Sequence, residues 1–87
     1  MHYFKNQEEE YVTWLEHHPV GLVLNLATGG QHRAMIHTTR CMHLYPPDPT
    51  SHHTAVRPKA CGEDREELER WGKGAGFTIH PCSSCGT

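Results

Sequence analysis

In VGLVLNLATGGQHRAMIHTT, residues 20–39, apolar and polar positions alternate with a period of two. Leu22, Leu24 and Leu26 fall on one side of an extended chain. Gly29 and Gly30 accept the positive φ of a tight reversal, and Ala34, Met35 and Ile36 begin a return strand. The pattern predicts a β-hairpin over 20–38. Weaker alternation in HYFK (2–5) reads as a short strand or an extended lead-in. AVRPKAC (55–61) reads as a third strand, demoted to an edge by Pro58, and FTI (77–79) as a last one.

Two segments change to a helical period. Tyr11, Trp14 and Leu15 recur at i, i+3 and i+4, which predicts a helix capped by Asn6, running to about His17 and ended by Pro19. Glu8, Glu9 and Glu10 lie at its positive end. GEDREELERWG (62–72) predicts a second helix with Leu68 and Trp71 as its buried stripe, stopped by Gly72 to Gly76. Both Trp14 and Trp71 are expected to pack, one from each helix, on the sheet face of Leu22, Leu24 and Leu26. The segment LYPPDPTSHHT (44–54) holds three prolines and no period, so residues 45–54 are expected to form a flexible loop. The expectation is one α+β domain over 1–87, a small antiparallel sheet of hairpin plus edge strands with two short helices.

Only 36% of the 87 residues are hydrophobic, which is thin for a chain of this size. Small domains with weak cores carry a staple, either disulfides or a metal, and four Cys with nine His supply the material. No apolar run approaches the ~20 residues of a membrane span, and the polar start MHYFKNQEEEYVTW lacks a signal-peptide core. A cytoplasmic location is the default. Reducing conditions there favour metal binding over disulfides, although a secreted, already cleaved domain with two disulfides would carry the same sequence.

The formal charge is −2, unevenly spread. Residues 1–30 and 61–87 are acidic, while the middle third carries Arg33, Arg40, Arg57 and Lys59 against Asp48 alone. A polycation is excluded and a local basic face is not.

The chain closes on PCSSCGT (81–87). A redox Cys-x-x-Cys draws on a helix N-terminus to lower its first thiol's pKa, and the two residues after Cys85 cannot make a helix. A metal knuckle needs a tight turn of small residues, which Cys82-Ser-Ser-Cys85-Gly86 provides. Cys41 and Cys61 would complete a four-Cys site. His37, four residues before Cys41, offers a rival set of His37, Cys41, Cys82 and Cys85. The four-Cys set is preferred because it leaves no thiol over, with either Cys41 or Cys61 as a plain buried thiol the alternative. Zn²⁺ is expected as the commoner structural ion, iron being the other metal such sites accept. The remaining histidines read as surface residues.

Taken together, HPVGLVLNL, IHTTRC, KAC, ELERW and PCSSC resemble a small bacterial Cys/His module associated with restriction-type nucleases and mobile elements. The resemblance implies a DNA-related setting. It places five candidate ligands, His37, Cys41, Cys61, Cys82 and Cys85, without deciding which four bind.

A closed, thiolate-rich site is a poor Lewis acid, and no phosphate-cradling glycine loop or Ser/His/Asp set stands out. No catalytic residue or small-molecule substrate is inferred, and a His37–Cys61 nucleophilic dyad is the weaker reading. Two binding functions remain. One is a nucleic-acid module using Arg33, Arg40, Arg57 and Lys59, with Tyr45 to stack on a base. The other is a protein-interaction module or small regulator. Local charge and the resemblance favour the first.

Overall fold

The alternating stretch folds as two paired strands, around which the remaining elements assemble. The structure is a computed structural model that describes residues 1–27, 32–42, 44–45, 54, 57–83 and 85. In chain order its elements are β1 (His2–Phe4), α1 (Glu8–His17), β2 (Leu22–Ala27), β3 (Arg33–Thr38), β4 (Lys59–Gly62), α2 (Arg65–Gly74) and β5 (Thr78–Pro81). The five strands form one sheet in the order β1-β4-β2-β3-β5. Every pairing is antiparallel except β3 with β5, which the α2 crossover makes parallel. The fold is α+β. Gly29 and Gly30 of the expected reversal, and most of the expected loop over 45–54, lie outside the described residues.

Residues directly opposite in the ladder share a sheet face, so the register sorts the side chains. His2, Cys61, Val23 and His37 form one row, and Phe4, Lys59, Asn25, Met35 and His80 form the next. Both rows lie on the α1 face. Phe4, Tyr11, Trp14, Leu15, Val23 and Cys61 make its core cluster. The opposite face carries Leu24, Leu26, Ala34, Ile36 and Ala60, closed by Leu68 of α2. The two tryptophans are therefore on opposite faces. Trp14 is buried away from the leucine row, and Trp71 on the leucine side is only half-buried.

Pro58 does not create an edge. Its carbonyl accepts from the Leu26 N–H at 3.0 Å, and the strand proper begins at Lys59, so β4 keeps partners on both sides. Asn6 is not the cap of α1 but a left-handed residue at φ 56°, a conformation asparagine tolerates, and the helix starts after Gln7. The α2 cap is Asp64, whose carboxylate accepts from the Glu67 N–H. Gly72 lets α2 approach the sheet, since a Cβ there would stand 2.9 Å from Ile79 Cδ1 and 3.3 Å from Leu24 Cδ1. Among the described residues no helix is long and apolar enough to cross a membrane.

Candidate metal centre

β3 and β5 run side by side in the same direction, so their C-terminal ends emerge together. His37 is the penultimate residue of β3. A turn follows in which the Cys41 N–H returns to the Thr38 carbonyl at 3.1 Å, and Cys41 is carried back beside His37. Cys82 follows β5, its N–H bonded to the Ile36 carbonyl at 3.1 Å, which fixes it against the same strand. Cys85 comes from the turn beyond. The ligand atoms of His37, Cys41, Cys82 and Cys85 all lie within 4.8 Å of one another. His37, Cys41 and Cys82 are buried and Cys85 is half-buried.

The donor set fits a tetrahedral ion. Two sulfurs each ~2.3 Å from one metal stand ~3.8 Å apart in a tetrahedron. The Cys41 and Cys82 Sγ atoms are 3.8 Å apart. Among the described residues this is the one such group of ligating side chains. Four protein donors fill a tetrahedral ion, so the arrangement suits a structural role and ties the ends of two neighbouring strands together.

Cys61 stands apart, and the expected four-Cys set gives way to three Cys and one His. Register supplies the reason: Val23 lies between Cys61 and His37, so two strand spacings of ~4.8 Å each separate them. The same separation rules out a His37–Cys61 dyad. Cys61 is fully buried in the α1 core, and burial pushes its thiol up to about 12, with Lys59 pulling the other way. It packs as a small apolar side chain.

Beside Cys61 on the same strand, Lys59 is only 5% exposed. Its amine donates to Asn25 Oδ1 at 2.7 Å and to the Arg57 carbonyl at 2.9 Å, and stands 5.9 Å from the centre of the Tyr11 ring. Burial lowers its pKa from 10.5 to about 8, against an opposing pull from Cys61. Burial likewise raises that of Tyr11. Between pH 8 and 10.5 the unfolded chain holds the Lys59 proton and the folded one has lost it, so raising the pH favours folding there. Relative to Lys59→Met, the wild type should gain on the order of 3 kcal/mol across that window and lose it as the pH falls through 8. Denaturant melts of the two proteins from pH 7 to 10.5 measure the difference. A flat difference would show that Lys59 titrates as a free lysine.

The four expected basic residues do not all converge. Arg33 and Arg57 line one recess of about 260 Å³ on the α1 face of the sheet, beyond the end of α1's cover, with Asn25, Ala27, Met35 and His80. Lys59 lies under one side of it, bonded to Asn25 and Arg57. Arg40 points elsewhere. Its guanidinium donates to the Leu15 carbonyl at 2.9 Å and lies 4.0 Å over the Tyr45 ring, which pins α1 to the turn bearing Cys41. Tyr45 is thereby engaged within the fold. Asn25 and His80 were not singled out from sequence, because neither belongs to a local motif and only the cross-strand register sets them in one row.

Comparison with protein-family models, with curated proteins and with solved structures found no match.

Proposed function

We propose that the chain is a zinc-stapled binding module that takes nucleic acid on the open part of its α1-side sheet face. The observation that carries this reading is the division of that face along β3 and β5. One end holds the four metal donors and the other holds the recess between Arg33 and Arg57. The donor set of three Cys and one His suits zinc, and a filled coordination sphere leaves the metal a scaffold role. Two exposed guanidiniums, with no carboxylate among the described residues of the recess lining, supply a local positive face on a chain of net charge −2. A defence or mobile-element setting, as the sequence resemblance implies, agrees with a nucleic-acid ligand.

The test is a salt titration. With Arg40 engaged by Leu15 and Tyr45, and Lys59 buried, two phosphate contacts are expected in place of four. The log–log salt slope should then be roughly −2 where the two arginines meet two phosphates and roughly −1 where both meet one. Purified protein should carry about one Zn²⁺ per chain, as a four-donor site implies. Failure of both duplex and single strands to bind at low salt would end the nucleic-acid reading. The protein-interaction reading would then lead, on the apolar groove of the opposite face formed by Tyr3, Leu26, Pro58, Trp71, Ala75 and Phe77.

A further inference from the structure

We infer that the recess between Arg33 and Arg57 is a seat for one nucleotide unit, with its phosphate held between the two guanidiniums. This deepens the nucleic-acid reading and rests on it for the identity of the ligand.

The seat begins with register. Ala27 is paired with Arg33 on one side. On its other side the ladder continues from Asn25 opposite Lys59 and the Leu26–Pro58 hydrogen bond, which brings Arg57 beside Ala27. Two arginines therefore flank a methyl-sized side chain, roughly 10 Å apart at the backbone across two strand spacings. The small residue opens the floor, and the long side chains on either side can close on an anion above it. Both arginines are exposed, and among the described residues neither has a carboxylate partner that would neutralise it.

The shape selects the anion. A carboxylate offers its two oxygens to a single guanidinium fork, whereas a tetrahedral phosphate offers oxygens in opposite directions and can meet a fork on each side. Arg33 and Arg57, approaching across Ala27, suit the second.

The adjoining row suits the rest of a nucleotide. Two residues along the strands, ~6.6 Å away, lie Asn25, Met35 and His80. Met35 is 41% exposed in the middle of the row, an apolar, polarisable surface on which a base can lie. Asn25 and His80 flank it. Lys59 can only donate, so the Asn25 amide oxygen must face it at 2.7 Å and the NH₂ group is left to face the recess. The same amine holds the carbonyl of Arg57. A buried lysine thus holds two residues on one side of the recess, Asn25 by its side chain and Arg57 by its carbonyl, and so preorganises that wall. A volume of about 260 Å³ admits one such unit and not a run of them.

An internal phosphodiester of a strand and a free mononucleotide share this chemistry, so the experiment uses both. The metal-loaded full chain is titrated with a fluorescent single-stranded oligonucleotide, and separately with AMP and with pyrophosphate followed by NMR. Arg33→Ala and Arg57→Ala should each weaken oligonucleotide binding by about tenfold or more. Arg33→Lys, which keeps the charge and loses the fork, should also weaken it. Ala27→Leu, which fills the floor and keeps both charges, should do the same. Arg70→Ala, on the exposed side of α2, should not. All five variants should retain zinc and the wild-type melting temperature. Oligonucleotide binding that is indifferent to Arg33, Arg57 and Ala27 overturns the seat and leaves the nucleic-acid reading standing. No oligonucleotide binding, with AMP or pyrophosphate held in an Arg33- and Arg57-dependent way, overturns the nucleic-acid reading and keeps the seat. Binding by none of the three overturns both.

Discussion

Chelation of the metal is expected to abolish the cooperative unfolding transition. A structural zinc contributes on the order of 10 kcal/mol at neutral pH, while a chain of this size has ~4–13 kcal/mol of total stability. Cys41→Ser and Cys82→Ser should give the same result without a chelator, because each removes a buried donor from the centre. His37→Ala should lose the metal, and His37→Cys should regain it by restoring a fourth donor. Cys61→Ala should hold metal as the wild type does, since Val23 separates it from the centre. Metal content by elemental analysis and thermal melts by circular dichroism read these outcomes. An apoprotein that melts as the loaded protein does would overturn the structural-metal reading. A Cys61→Ala variant that loses the metal would overturn the ligand set. The recess between Arg33 and Arg57 should respond as well, because His80 lies on β5 two residues before Cys82 and an unpinned β5 would be held by only one neighbouring strand among the described residues.

Trp14→Ala should cost about 3–5 kcal/mol, the largest loss expected at any single core side chain. Trp14 is buried, stacks at 4.1 Å on the His18 ring and joins Phe4, Tyr11, Leu15 and Val23. It also shapes the turn after α1: a Cβ on Gly21 would come within 2.8 Å of the indole, so Gly21 is the residue that lets the chain pass beneath it. The His18 carbonyl accepts from Thr39 and the Leu15 carbonyl from Arg40, so the segment around Trp14 is tied to the turn that carries Cys41. Trp71→Ala should cost less, about 1–2 kcal/mol, because Trp71 is half-buried and meets Tyr3 at an open groove. Urea melts of the two variants with metal present measure the ratio. Equal losses would contradict the placement of the two rings.

Local pattern was enough for the elements. The period of two in 22–27 and 33–38, the i, i+3, i+4 spacing of Tyr11, Trp14 and Leu15, and the acidic start of α2 each depend on neighbours within one or two turns. The Cys82/Cys85 half of the metal site was legible for the same reason, as a short spacing of two thiols around small residues. The misplacements of Pro58, of the two tryptophans and of Cys61 concern residues whose partners are distant in sequence. Pro58 read as an edge marker because the hydrogen bond to Leu26 was invisible, and β4 entered the middle of the sheet. Trp14 and Trp71 read as one core because helix periodicity says which face is apolar and not which side of the sheet that face meets. Cys61 read as a ligand because thiols can be counted along a chain, whereas the position of Val23 between it and His37 is a property of the ladder. Arg33 and Arg57 were two among four dispersed bases until strand pairing set both beside Ala27, and Arg40 was claimed by α1. The sequence determined the elements, the one tight half-site and the sign of the middle third. Which four donors meet, and which cations share a recess, was decided by strand order and register, because those fix distances between residues twenty to sixty apart that no local spacing encodes.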